Sequence, residues 1–158
     1  MAEKSPFSNL HHIGIVVKDI DQAVKHYESI GMGPFKPFAA IAANVVEQSS
    51  YGDMHADFDF KIRMLEVGAT RIELLQPVKG RTINSDFLAE HGEGINHLAF
   101  LVDDVEAVKA DLAKKGLEVV LTRKRAGGFS AAYIDARKVG GVTFEFIQLP
   151  KESVYRLH

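Results

Sequence analysis

The chain has 158 residues, room for one ordinary domain, of which 46% are apolar and 25% charged, as in most soluble globular proteins. A net charge of −2 with no long block of like charge gives no footing for nucleic acid or a membrane surface, so a small molecule is the expected partner. Cysteine is absent, which excludes disulfides, thiolate metal sites and thiol nucleophiles and leaves nitrogen and oxygen to hold any metal.

Met1 to Asn9 contains no apolar core of signal-peptide length, and no apolar run reaches the roughly 18 residues of a membrane span, so the cytoplasm is the expected location. Leu10 to Val17 reads as a strand from its β-branched content. Asp19 followed by Gln22 is a capping-box pattern, so a helix is expected there, with Ile20, Ala23, Val24, Tyr27 and Ile30 as its apolar stripe and Gly31 as its stop. Residues 35 to 60 carry the weakest pattern. Phe35 to Phe38 begins extended, Ala39 to Gln48 is apolar enough for a strand, and Ser49 to Asp53 has the chemistry of a mobile loop. Lys61–Val67 and Thr70–Leu75 form an expected hairpin about Gly68-Ala69, ended by Pro77. A short helix is expected around Asp86 to His91, then a strand over 95–102 and a helix over 104–115, capped by Asp103 with Glu106 and stopped by Gly116. Strands at 117–122, 131–135 and 142–148 complete the chain.

One stretch occurs twice. Leu10-His11-His12-Ile13-Gly14-Ile15-Val16-Val17 returns as Ile95-Asn96-His97-Leu98-Ala99-Phe100-Leu101-Val102, and each His is followed at equal distances by an Asp (Asp19, Asp104) and a Gly (Gly31, Gly116). Arg71-Ile72-Glu73-Leu74-Leu75-Gln76-Pro77 is echoed by Thr143-Phe144-Glu145-Phe146-Ile147-Gln148-Leu149-Pro150. Self-similarity at long period fixes architecture ahead of propensity. It implies a single domain of two β-α-β-β-β copies: module 1 over 10–77, a linker over 78–94 and module 2 over 95–150. His12 and Glu73 are 61 residues apart but His97 and Glu145 only 48, so the first copy carries thirteen extra residues, expected within 35–60.

A carboxylate inside an apolar strand is costly unless something neutralises it. Strand periodicity sets Glu145 opposite Phe144 and Phe146, and Glu73 opposite Ile72 and Leu74. If the copies pack about a pseudo-twofold axis, His12, Glu73, His97 and Glu145 converge. Two imidazoles and two carboxylates suit a divalent Zn, Co, Ni or Mn ion, with positions left for water or substrate. Other residues take plainer readings. His11 is expected to face away from His12, exposed or in a supporting role; His26, His55, His91 and His158 have no counterpart in the repeat. Tyr27 reads as helix packing, and Arg123-Lys124-Arg125 as a solvated basic turn in preference to a phosphate-holding loop. Gly127-Gly128 and Gly140-Gly141 read as turns, since neither fits a phosphate-cradle spacing.

These stretches, with Glu90-His91-Gly92-Glu93-Gly94 ahead of the second copy and Gly140-Gly141-Val142 ahead of Thr143, resemble the vicinal oxygen chelate superfamily, the glyoxalase and bleomycin-resistance fold. Within it the likeness is to the methylmalonyl-CoA epimerases. The resemblance implies an α+β fold in which two tandem βαβββ modules form a curved mixed sheet around a central cleft, commonly as a homodimer. It implies metal ligation by His12, Glu73, His97 and Glu145. The implied activity is metal-dependent isomerisation or epimerisation by enolisation next to a carbonyl, with Glu145 first and Glu73 second as carriers of the α-proton, on an acyl-CoA in the epimerases. The alternatives are a glyoxalase-I-type lyase (lactoylglutathione lyase) and a non-catalytic protein that binds small molecules or antibiotics. An extradiol dioxygenase is disfavoured because Glu73 would fill a position that iron needs open. Three features depart from the epimerases. The place of a further catalytic Glu in some of them holds Ile62 or Gly52, with Asp53, Asp57, Asp59 and Glu66 as the nearest acids. The first module's loop is longer, and Asp135-Ala136-Arg137-Lys138 stands where His-Pro-Lys is usual.

Overall fold

A computed structural model describes residues 5–38, 46–51, 54–55, 58–138 and 140–151. In chain order these form β1 (Leu10–Val16), α1 (Ile20–Ser29), β2 (Lys36–Pro37), β3 (Val46–Tyr51), β4 (Met54–His55), β5 (Asp59–Val67), β6 (Thr70–Lys79), α2 (Ile83–His91), β7 (Gly94–Leu101), α3 (Val105–Lys114), β8 (Val119–Arg125), β9 (Phe129–Ile134) and β10 (Thr143–Gln148). The strands make one curled, mixed sheet in the order β2-β5-β6-β1-β7-β10-β9-β8-β3-β4. At its centre the first strands of the two copies, β1 and β7, pair antiparallel. Outward from them each copy repeats one pattern: β6 parallel to β1 and then β5 antiparallel, β10 parallel to β7 and then β9 antiparallel. This is the expected α+β arrangement of paired units.

Strand alternation gives the sheet two different faces. Ile72 and Leu74 pack with Ile20, Ala23 and Val24 beneath α1, and Phe144 and Phe146 pack with Val105, Val108 and Leu112 beneath α3. The opposite face lines the cleft and carries the repeated His and Glu residues. No helix among the described residues is long and apolar enough to cross a membrane.

Both outer helices begin by one device. Asp19 accepts hydrogen bonds from the Asp21 and Gln22 backbone N–H groups, each at 3.0 Å, and Asp104 accepts from Ala107 N at 3.0 Å. The first helical N–H is then met from the sheet: Ile20 N donates to Gln76 Oε1 and Val105 N to Gln148 Oε1, both at 3.1 Å. The Gln repeated three residues after each Glu therefore ties the start of a helix to the last strand of its own copy.

Several expectations need correction. The cap of α3 is Asp104, one residue later than Asp103, so the acceptor reaches Ala107 and the Glu106 pairing falls out of register. Ile30 lies beyond the end of α1, 67% exposed, and does not extend the apolar stripe. Pro77 does not end β6, because β1 pairs with it only as far as Leu75 and a proline with one strand neighbour forfeits little. Ser49–Tyr51 is the end of a strand, not a loop; β3 lies antiparallel to β8 from Val46 to Tyr51. Arg123–Arg125 accordingly belongs to β8 and forms no turn. Residues 39–45, 52, 53, 56 and 57 lie outside the described residues, and with them the rest of the expected strand and loop.

Candidate metal centre

Four strands bring the repeated acids and imidazoles together. Glu73 comes from β6, His12 from β1, His97 from β7 and Glu145 from β10, which are consecutive in the sheet, so the acids flank the imidazoles. All four are at least 96% buried. His12 Nε2 stands 3.1 Å from His97 Nε2 and 3.3 Å from Glu145 Oε2; His97 Nε2 stands 3.5 Å from both Glu145 Oε2 and Glu73 Oε1; Glu73 Oε2 is 3.7 Å from His12 Nε2. His12, His97 and Glu145 offer one atom each within 4.8 Å of one another, a group that could hold a metal ion.

Local features aim these side chains. A register shift between Leu10 and His12 against β7 puts two residues of β1 where one is expected, and such a bulge re-aims side chains. His11 therefore does not face away: it is 1% exposed and lines the same cavity as His12. Its Nδ1 lies 2.8 Å from His12 Nδ1, the supporting half of what its position suggested. In the second copy Asn96 takes that place, with Oδ1 3.0 Å from His97 Nδ1. A hydrogen on the Nδ1 of each repeated His leaves its Nε2 pointing at the acids. Gly14 faces His97 across the β1–β7 pair, and a Cβ there would lie 1.9 Å from His97 Cε1. The imidazole occupies the space a side chain would need.

The donor set fits a divalent cation. Bonds of about 2.0–2.2 Å to a tetrahedral ion put neighbouring ligand atoms about 3.3–3.6 Å apart, close to the observed separations. Burial opposes protonation of His12, but the Glu73 charge and the hydrogen bond and charge of Glu145 prevail and raise its pKa. For Glu145 burial pushes upward, while the hydrogen bond and charge of His12, then the charges of His97 and Arg123, bring it down to about 2. One proton at the meeting point cannot serve every donor, and Glu73 Oε1 is left buried without a hydrogen bond. A cation could be held by His12, His97 and Glu145, with Glu73 beside both imidazoles.

The family model for the glyoxalase/bleomycin resistance protein/dioxygenase superfamily matches residues 11–133. The chain belongs to this superfamily. Among curated relatives, the uncharacterized protein YqjC of Bacillus subtilis is 26% identical and covers 96% of this chain and 99% of its own. Among solved structures, the methylmalonyl-CoA epimerase of Mycobacterium tuberculosis superposes with a TM-score of 0.63 at 24% identity, covering 94% of this chain and 93% of its own. A methylmalonyl-CoA epimerase in complex with methylmalonyl-CoA and NH4+ superposes with a TM-score of 0.61 at 25% identity, covering 90% and 95%.

In this glyoxalase-superfamily protein the remaining expected residues sort by burial. His26 and His91 are exposed, and the side chains of His55 and His158 lie outside the described residues. Asp59 and Glu66 are exposed on β5 while Ile62 of the same strand lines the cavity; Asp53 and Asp57 are not described. Tyr27 packs beneath α1 as expected. Two residues of the cavity wall were not singled out from sequence as part of the site. Tyr133, 1% exposed, sets its ring edge-on to His97 with centroids 5.4 Å apart. Burial first, then the charges of Glu145 and Glu73, push its hydroxyl well above its usual pKa and keep it protonated. Arg123, 6% exposed, is the other. The signal for both was the strand period: Arg123 alternates with Leu121, and Tyr133 faces Glu145 across β9 and β10.

Proposed function

We propose that this protein is a divalent-metal-dependent isomerase that epimerises the carbon next to a thioester carbonyl, with His12, Glu73, His97 and Glu145 holding the ion. The observation that carries this reading is that the Nε2 atoms of two imidazoles, one from each copy of the repeat, lie 3.1 Å apart with a carboxylate oxygen of each copy 3.3–3.7 Å from them, all buried. The ion supplies Lewis acidity for carbonyl oxygens when bound. The side chains supply the rest. Glu145, held at about 2, is ionised at neutral pH and needs no prior deprotonation to bind a cation or accept a proton. Epimerisation requires proton transfer on two faces of one carbon. Glu73 and Glu145 enter from opposite sides of the β1–β7 pair, which suits one carboxylate to each face. Tyr133, protonated beside Glu145, can donate a hydrogen bond to whichever oxygen bears developing charge. The acyl-CoA ligand of the epimerase complex supports a thioester as substrate class.

The test is elemental analysis of purified protein followed by NMR of α-proton exchange in D₂O with 2-methylmalonyl thioesters. About one ion per chain and exchange into the α-position are expected. Glu145→Ala should lose both, with turnover down by at least about 100-fold, whereas the exposed His91→Ala should keep both. Metal content unchanged in His97→Ala would eliminate the proposed centre, and turnover of the methylglyoxal–glutathione adduct without thioester exchange would favour the lyase.

A further inference from the structure

Two neighbouring rings share one hydrogen on β1. His11 Nδ1 and His12 Nδ1 stand 2.8 Å apart, so one donates and the other accepts. The cluster decides which. His12 Nε2 is turned to His97 Nε2 and to both acids, and a ring whose Nε2 lone pair serves a cation keeps its hydrogen on Nδ1. His12 is then the donor and His11 Nδ1 the acceptor. A neutral imidazole has a single N–H, so that of His11 is on Nε2, at the far end of the ring.

That N–H belongs to an apolar part of the wall. The bulge after Leu10 turns His11 into the cavity, one step along β1 from the row His12, Ala99 and Glu145. In the same direction along β10 comes Ile147, which packs with Phe129 and Leu149 and lines the cavity with them. In the second copy Asn96 meets His97 Nδ1 with its Oδ1 at 3.0 Å, so support of a repeated His does not by itself ask for an imidazole. What the ring adds is a second nitrogen on its far side, fixed as a donor by the hydrogen bond at the first. A donor held in an apolar, water-poor wall gains most from an oxygen that acquires charge. Resting on the isomerase reading, we propose that His11 is a catalytic residue whose Nε2–H donates a hydrogen bond to the thioester carbonyl oxygen as the enolate forms. When Glu145 takes the α-proton, the C–H electron pair becomes the C=C bond and the carbonyl π pair moves onto oxygen. His11 keeps its hydrogen and stays neutral, so return of a proton to either face restores the thioester with nothing gained or lost.

The test begins with histidine-selective ¹⁵N NMR of the Zn²⁺-loaded protein. His12 should carry its hydrogen on Nδ1 and His11 on Nε2. The His11 Nε2–H resonance should move downfield when the S-ethyl thioester of 2,2-dimethylmalonate, which has no α-proton to lose, is added to saturation. A hydrogen on His11 Nδ1, or a resonance unmoved at saturation, would overturn the proposal. His11→Asn keeps an acceptor for His12, as in the second copy, but has no far nitrogen. At saturating Zn²⁺ it should lose about 100-fold in kcat for α-proton exchange of the S-ethyl 2-methylmalonyl thioester, with KM near that of wild type. Wild-type kcat in His11→Asn at full metal occupancy would overturn the proposal. Should His11→Asn fail to fold, the NMR experiment decides alone, since it needs no variant. The isomerase reading fails separately, on wild type that holds no metal or exchanges no α-proton, whereas this proposal fails with both present.

Discussion

Gly14 and His97 share one volume, and this sets what each position tolerates. A Cβ at residue 14 would fall 1.9 Å from the imidazole, and His97 is fully buried with Asn96 fixing its other nitrogen. Gly14→Ala is therefore expected to cost about 1–3 kcal/mol in urea unfolding and to displace His97, seen as lost metal in elemental analysis. A variant with wild-type metal content would show that the ring has somewhere else to go. His11 and Asn96 do one job with different chemistry, each meeting the Nδ1 of the His that follows. His11→Leu should weaken metal binding about 10–100-fold in a competitive chelator titration, and His11→Asn, which copies the second copy's solution, should weaken it less. Equal losses in the two variants would mean that bulk, not a hydrogen bond, is what His11 contributes. That Glu73, Glu145 and the two repeated His meet was readable because they recur. His11 was misread because a bulge breaks the alternation from which its direction was inferred.

Helix starts show how much of an element a short pattern specifies. The Asp19–Gln22 pattern located α1, and Asp104 rather than Asp103 caps α3 because only the later residue reaches the N–H of Ala107. The sequence could not show that Gln76 and Gln148 reach from the sheet to the first helical N–H, since that contact spans 56 residues in one copy and 43 in the other. Replacing either Gln by Leu should cost about 1 kcal/mol, and both together about twice that, because the sites are separate. Urea titration of the two single variants and the double variant checks this, and no loss in either single variant would mean water replaces the side chain freely. The cap also sets an acid limit. Backbone and side-chain hydrogen bonds from Gln22 hold Asp19 below its ordinary pKa. A carboxyl lower in the folded than in the unfolded chain stabilises above the unfolded value, and that stabilisation disappears as pH falls through the folded one. The stability gap between wild type and Asp19→Asn should thus be constant above about pH 5 and close below about pH 4; a gap that persists at pH 2 would exclude the carboxylate as its source.

At the level of the whole molecule, the repeat in the sequence becomes a repeat in the sheet. Each copy supplies one His and one Glu of the buried cluster, and neither can build it alone. Residues 95–158 by themselves would leave β7 without β1, and are expected to show no cooperative thermal transition by circular dichroism; a sharp transition with the native strand signal would refute this dependence. Pairing within each copy was legible because apolar runs, turn glycines and the two echoes agree. The join between copies through β3 and β8 was not, because Val46–Tyr51 is polar at its end and its partner Leu121–Arg125 carries three cations that resemble a solvated turn. That join has a further effect. With β3 laid against β8, the sheet among the described residues terminates on one side in β4 and on the other in β2, each two residues long, and β2 ends in proline. Among the described residues β2 covers only Arg63 and Met64 of the nine-residue β5, so the rest of that outer edge is where a foreign strand would find main chain to zip onto.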